Sequence, residues 1–251
     1  MTTSMKKTNG KSVSKPAKTE SADVAQDQEN EVKMRTVMVA APCYDGKVNA
    51  WHTSSLVETA KIGLANGINV VNIYVSYDAL VQRARNDIFK MAFDSNVDDL
   101  FFIDTDVDWN PADFFRLLNH DVPIVAAPIV QKSDVENYGV KLLGQFKIDD
   151  NGLVEVDGVA TGFMRIRRDA IEQIWEAASE YQEPHKPEPS RMVFEVKVED
   201  GVLWSEDISF CDNYIKLGGK IYVDPLVVCG HTGVKRWVGN FYEWVKLFVK
   251  R

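Results

Sequence analysis

The chain has 251 residues, 45% of them hydrophobic, and a formal net charge of −8. That is enough apolar material for one sizeable core, and the acidic balance argues against a protein that simply coats nucleic acid. Cys43, Cys211 and Cys229 are far apart and odd in number, which excludes a disulfide framework or a zinc spacing and points to a reducing, cytoplasmic setting.

Residues 1–33 are rich in Lys, Ser, Thr, Glu and Gln and almost free of large apolar side chains, so the composition predicts a disordered tail. They contain no apolar stretch of the secretory-signal kind. No later run approaches the roughly 20 apolar residues of a bilayer span, so no integral membrane contact is expected.

The first strand is expected at 36–41, ending in the loop Pro42-Cys43-Tyr44-Asp45-Gly46. Ser54 or Ser55 is placed to cap a helix reaching Asn66, with Gly67 just past its end. A second strand follows at 69–75. Asp78 is placed to cap a long helix at 79–95, with an apolar stripe of Leu80, Ala84, Ile88, Met91 and Ala92.

Leu100, Phe101, Phe102 and Ile103 then run straight into Asp104 and Asp106. A short apolar run stopped by acids reads as a buried strand reaching a sheet edge. Carboxylates at i and i+2 of an extended chain point the same way. Like charges so close are costly unless a cation lies between them, and oxygen ligands suit a hard divalent ion. Asn110-Pro111 starts a helix reaching Asn119, and another strand is expected at 123–129. This alternation predicts an α/β fold with a largely parallel sheet, whose ligands bind beyond the carboxyl ends of the strands.

In the second half, 145–148 and 153–156 flank Asp149-Asp150-Asn151-Gly152, a hairpin signal. A strand at 161–166 leads into a helix at 169–179. Residues 180–190 hold three prolines and read as a mobile loop. Segments 193–198 and 202–204 flank a turn. Ser205-Glu206-Asp207 opens a helix that ends at Gly218-Gly219. Short strands are expected at 220–223 and 226–229, and an aromatic-rich helix at 238–249, which covers the protein's own core rather than lying on a membrane.

The motifs Ala41-Pro42-Cys43-Tyr44-Asp45, Arg83-Ala84-Arg85-Asn86, Asp104-Thr105-Asp106, the run from Gly158 to Phe163, the run from Ser205 to Cys211, and Gly230-His231-Thr232-Gly233 follow one another in order. In that order and spacing the sequence resembles the GT-A class of nucleotide-sugar-dependent glycosyltransferases, and within it compact phage- and virus-encoded members. The resemblance implies a GT-A fold: a Rossmann-like nucleotide-binding half with a mixed, mainly parallel sheet, and a smaller acceptor-side half. It divides the chain into a tail at 1–33 and one domain at 34–251, with a nucleotide-binding half at 34–130, an acceptor and catalytic half at 131–236 and a C-terminal aromatic helix at 237–251.

It also implies roles. Asp104, Asp106 and His231 would hold Mn²⁺ (or Mg²⁺), with Asp106 as the direct carboxylate ligand. Pro42, Cys43, Tyr44 and Asp45 would hold the nucleoside, Tyr44 by stacking and Asp45 by accepting a hydrogen bond. Arg85, Asp104 and Thr105 would face the nucleotide-sugar. Asp207 would deprotonate the acceptor hydroxyl, with Glu206 as the alternative base, and the outcome would be inverting, with retention left open. The donor would be a nucleoside-diphosphate sugar. The acceptor would be a modified DNA base or a glycan; Arg165, Arg167, Arg168, Arg191, Lys235 and Arg236 are the candidates for a basic groove serving DNA. A nucleotidyltransferase and an inactive nucleotide-sugar-binding protein are the alternative functions. Asp108 reads as a structural acid, and His52, His120 and His185 as surface or structural residues.

Overall fold

The computed structural model describes residues 34–249, so the expected tail at 1–33 lies outside the described residues. Strand β1 (Arg35–Cys43) is largely buried. Helix α1 (Ala50–Ala65) starts earlier than expected because Asn49 caps it, its side chain accepting from the Trp51 N–H. Ser54 instead donates back to the Ala50 carbonyl, and Ser55 exchanges hydrogen bonds with the Trp109 backbone. Strand β2 (Ile68–Ser76) follows. Helix α2 (Val81–Asp94) starts later than expected. Asp78 closes a turn ahead of it, accepting from the Leu80 N–H and the Arg83 guanidinium.

Strand β3 (Asp99–Ile103) is buried throughout. The two acids then turn the chain into a short strand, β4 (Val107–Trp109), that the sequence does not announce. Helix α3 (Pro111–Asn119) has the expected Asn110 cap and leading proline. Strands β5 (Ile124–Ala126), β6 (Val140–Leu142), β7 (Val154–Val159) and β8 (Phe163–Arg167) precede helix α4 (Arg168–Ala177). Segment 145–148 is not a strand. The Asp149 side chain accepts from the Asn151 and Leu153 N–H groups, which makes a turn, and β7 pairs with β6 instead.

Strands β9 (Glu180–Tyr181) and β10 (Ser190–Arg191) pair to close the proline-bearing segment. Strands β11 (Lys197–Glu199) and β12 (Val202–Trp204) form the expected hairpin. Helix α5 (Glu206–Lys216), strands β13 (Ile221–Val223), β14 (Cys229–Thr232) and β15 (Arg236–Val238), and helix α6 (Phe241–Val249) complete the chain. The strand expected at 226–229 comes later, as β14, because Asp224 turns the chain through Leu226 and Val227.

The main sheet has the order β2-β1-β3-β8-β5-β13-β7-β6. The pairings set β2, β1, β3, β5, β13 and β6 in one direction and β8 and β7 in the other. The fold is therefore α/β with a mixed, mainly parallel sheet, as the sequence predicts. One face of the sheet packs on residues of α2, α4, α5 and α6, including Ile88, Ile171, Phe210 and Phe241. The other packs on α3 and α1, through Phe114, Leu117 and Leu56. Burial on both faces is what parallel strands require. Helix α6 buries Phe241 and Val245 while Leu247 and Phe248 remain exposed. Among the described residues no helix is long and apolar enough to cross a membrane.

A second sheet, β15-β14-β4, grows from the end of β3. Its antiparallel register sets His231 opposite Val107. This brings a residue from late in the chain to the two acids that follow β3.

Candidate active site

Because β1 and β3 are parallel neighbours, the Pro42–Asp45 loop and the Asp104-Thr105-Asp106 turn emerge at the same sheet edge. Strand β8 runs the other way and starts there, with Phe163 opposite Ile103. The turn is heavily anchored. The Asp104 N–H donates to the Gly162 carbonyl at 2.9 Å, and the Val107 N–H to the Asp104 carbonyl at 3.0 Å. His52 is fully buried beneath it. Burial holds the imidazole pKa below its ordinary value, so the ring is neutral. Its Nδ1 lies 3.0 Å from the carbonyls of both Asp104 and Val107, and its Nε2 3.1 Å from the Tyr74 hydroxyl. Two acceptors at Nδ1 fix the proton there, leaving Nε2 to accept from Tyr74. His52 is thus structural, and it shapes the acidic turn; nothing in its sequence neighbourhood signals this.

Gly162 is a second anchor that spacing alone does not reveal. A Cβ at this position would sit 2.8 Å from Asp104 Oδ2 and 3.0 Å from Ile129 Cδ1. The close approach at Gly162 is by the Asp104 carboxylate itself.

Asp106 is engaged at both oxygens. His231 Nε2 lies 3.5 Å from Oδ1, and the Lys132 ammonium pairs with Oδ2. Burial works to raise the Asp106 pKa, but the hydrogen bonds from His231 and Lys132 outweigh it and hold the carboxyl at about 2. His231 Nδ1 lies 2.8 Å from the Val130 carbonyl. With Nδ1 committed to that carbonyl, Nε2 is the nitrogen turned to Asp106, the placement of a metal-ligating imidazole. Two carboxylates and one imidazole also suit Mn²⁺ or Mg²⁺ in kind, so the donor set fits. The geometry is not closed, however. Among the described residues no group of three or more His, Cys, Asp or Glu side chains gathers around one point. Asp106 and His231 are together, whereas Asp104 turns towards Arg85.

Arg85 is 6% exposed. One terminal nitrogen donates to Glu206 Oε1, the other lies 3.4 Å from Asp104 Oδ1, and its Nε has no partner. Glu206 is therefore held by a buried guanidinium. Its neighbour Asp207 is not: Oδ1 accepts from the Ile208 N–H at 2.8 Å and from the Ser205 hydroxyl, and the residue faces a cleft. Asp108, in contrast, leaves the site to pair with Arg236 on β15.

Two clefts meet at Arg85 and Asp104. The larger, about 590 Å³, is walled by Pro42, Tyr44, Asp45, Thr105 and Asp106. Tyr44 is 67% exposed, so its ring is available to a ligand. Asp45 is open to solvent, its carboxylate accepting from the Lys47 N–H at 3.0 Å. Cys43 is buried, with its thiol on the Lys47 carbonyl, and supports the loop from behind. The smaller cleft, about 280 Å³, is lined by Glu206, Asp207, His231 and Thr161. The Thr161 hydroxyl is buried there without a hydrogen-bond partner. Beyond Asp207 it continues into a hollow of about 390 Å³ bordered by Trp204, Tyr138 and Lys141.

Of the six basic residues considered for a DNA groove, two are committed to backbone carbonyls and four sit in surface ion pairs. Arg165 is buried on the carbonyls of Leu118, His120 and Val122. Arg191 donates to the carbonyls of Trp175, Glu176 and Ala178. Arg167, Arg168, Lys235 and Arg236 pair with Asp169, Glu172, Asp134 and Asp108. His120 is structural, paired with Asp224, and His185 is exposed.

No protein-family model matches the chain, and no curated protein sequence matches it at a significant level. Among solved structures it is similar to the protein A197 from STIV, with 20% identity over 80% of this chain and 86% of that one, at a TM-score of 0.49. A glycosyltransferase involved in the glycosylation of the major capsid of PBCV-1 aligns at 14% identity over 55% of this chain and 62% of its own, with a TM-score of 0.32. The inositol-1-phosphate CTP transferase from T. maritima aligns at 11% identity over 76% and 85%, with a TM-score of 0.35.

Proposed function

We propose that the protein is a metal-dependent glycosyltransferase that moves a sugar from a nucleoside-diphosphate sugar to an acceptor hydroxyl with inversion. One observation carries the reading: a wide cleft with an exposed tyrosine and a narrow cleft with a free-facing aspartate meet at the Arg85–Asp104 contact, and Asp106 and His231 stand at the junction. In this reading the wide cleft takes the nucleoside, with Tyr44 stacking on the base and Asp45 accepting from base or ribose. Asp106 and His231, with Asp104 beside them, would hold Mn²⁺ (or Mg²⁺), which when bound supplies Lewis acidity to the departing diphosphate.

Asp207 takes the acceptor proton. The hydroxyl oxygen forms its bond to the anomeric carbon while the carbon–oxygen bond to the diphosphate breaks, and the nucleoside diphosphate leaves with that electron pair. Attack on the face opposite the leaving group inverts the centre. Asp207 suits the base role better than Glu206, because the Arg85 guanidinium stabilises the Glu206 carboxylate and occupies it. Arg85 orients the junction from beneath. Tyr138, Trp204 and Lys141 border the acceptor's entry. A glycan hydroxyl is favoured over a base in duplex DNA, since DNA binding draws on free cationic side chains, Arg165 and Arg191 are committed to backbone carbonyls, and the net charge of −8 opposes a polyanion.

A screen of nucleoside-diphosphate sugars with Mn²⁺ tests the reading, with nucleotide release and acceptor mass as readouts. Free nucleoside diphosphate and a glycosylated acceptor are expected, and chelation with EDTA or Asp106→Ala is expected to stop transfer. Release of pyrophosphate would establish the nucleotidyltransferase instead. Metal-dependent binding without transfer or hydrolysis would mark an inactive binding protein.

A further inference from the structure

We propose that Lys132 is a donor-site residue: in the donor-free protein its ammonium keeps the cation seat on Asp106, and when a divalent ion takes that seat the ammonium moves onto the donor's diphosphate. The inference rests on the nucleoside-diphosphate-sugar reading above. It begins from the two oxygens of Asp106, of which Lys132 holds one and His231 faces the other. A metal ion can reach Asp106 Oδ2 only by displacing the ammonium.

The surroundings keep a displaced ammonium close to the seat. The methylene stem of Lys132 lies across Gly233, where an added Cβ would be 3.2 Å from Lys132 Cδ and 3.1 Å from the Trp237 ring. The backbone behind it is closed: the Gln131 N–H donates to the Asn137 carbonyl at 2.8 Å, and Val130 forms a β-bridge with Tyr138. The adjoining Val130 carbonyl is the one that orients His231. The stem thus lies along Gly233 while the side chain as a whole stays partly exposed, so the charged end can shift without the backbone moving. An ammonium left beside a divalent cation is repelled by it, and a diphosphate bound at that cation would offer it an anion within the same cleft. Lysine serves such a group as a mobile point charge. The same seat thereby carries positive charge both before and after the donor arrives.

The test compares wild type, Lys132→Met and Lys132→Arg by calorimetric titration with UDP, GDP, CDP and dTDP at saturating Mn²⁺, and by titration with Mn²⁺ alone read from the electron paramagnetic resonance of the free ion. Lys132→Met is expected to bind Mn²⁺ alone several-fold more tightly and the preferred nucleoside diphosphate about tenfold more weakly. Lys132→Arg is expected to keep the nucleotide affinity within about threefold of wild type. Equal nucleotide affinity in wild type and Lys132→Met, or unchanged Mn²⁺ affinity, would overturn the role of Lys132 alone. Failure of the wild type to bind any of the four nucleotides with Mn²⁺ would remove the donor reading, and this inference with it.

Discussion

Arg85 on α2 donates to Glu206 in the first turn of α5, and the same guanidinium faces Asp104 across 3.4 Å. A single buried cation therefore stands in the wall shared by the two clefts. Replacing it by alanine leaves two carboxylates without their partner at the junction. Arg85→Ala is expected to lower kcat by about 10²-fold or more, and Arg85→Lys by about tenfold because a single ammonium cannot fork between both acids. Steady-state transfer assays at saturating donor check both.

The two acids that open α5 are expected to separate. Asp207→Asn should lower kcat by about 10²- to 10⁴-fold, the usual reach of a general base, with donor binding unchanged. Glu206→Gln should cost less than about tenfold in kcat, since its contribution is to hold Arg85. The reverse order would move the base to Glu206.

Gly162→Ala tests how the acidic turn is positioned. The new methyl would fall 2.8 Å from Asp104 Oδ2, so the carboxylate must move. Overpacking of this kind costs about 1–3 kcal/mol in a core. Mn²⁺-dependent nucleotide binding is expected to weaken about tenfold, as a displaced orienting group loses its geometry. Calorimetry with and without the metal separates the local effect from a global one.

His52→Ala removes the donor to the carbonyls of Asp104 and Val107 and the ring that meets Trp109 edge-on at 5.1 Å. Unsatisfied buried acceptors plus a cavity should cost about 2–4 kcal/mol of stability. Urea unfolding gives the value. Transfer measured far below the midpoint should still fall, because the turn itself has lost its support.

Acid sensitivity is expected away from the site, at Asp224. The residue is fully buried, and His120 and Arg116 hydrogen-bond it. Burial acts to raise its pKa, but those two partners outweigh it and hold the carboxyl below its ordinary value. A depressed carboxylate contributes stability above the unfolded pKa, and that contribution is lost as pH falls below about 4. Asp224→Asn should therefore be less stable than wild type by about 1–3 kcal/mol at neutral pH, a figure kept below that of a fully buried pair because Arg116 is partly exposed. The gap should close as pH falls below the ordinary carboxylate range. Thermal melts across that range follow it.

Much of the frame could be read from local pattern. The apolar run ending at Asp104, the Asn110-Pro111 helix start and the 197–204 hairpin all carry their signals within a few residues. Strands β4 and β6 escaped because what makes each of them a strand is its pairing, β4 with β14 and β6 with β7, with partners outside its own stretch of sequence. The 145–148 segment misled because its hairpin-like turn is closed by the Asp149 side chain rather than by a ladder. At the site, the acids and His231 stand out as chemistry-bearing residues and Gly162 falls within the 158–163 motif, but Lys132 and His52 do not stand out. Their roles come from partners 26 and 52 residues away, and a spacing rule sees only neighbours.

The pairing of β4 with β14 also bears on when the protein becomes competent. His231 reaches the acidic turn only through this antiparallel zip, which joins residues more than a hundred positions apart. Contacts of such separation form late in folding, after loop closure has been overcome. The junction between the clefts is thus assembled by one of the chain's longest-range strand pairings. A nascent or half-folded molecule can carry the tyrosine loop and both acids yet have no histidine beside them. Under the proposed function, His231 joins the acids only once the late strands have docked.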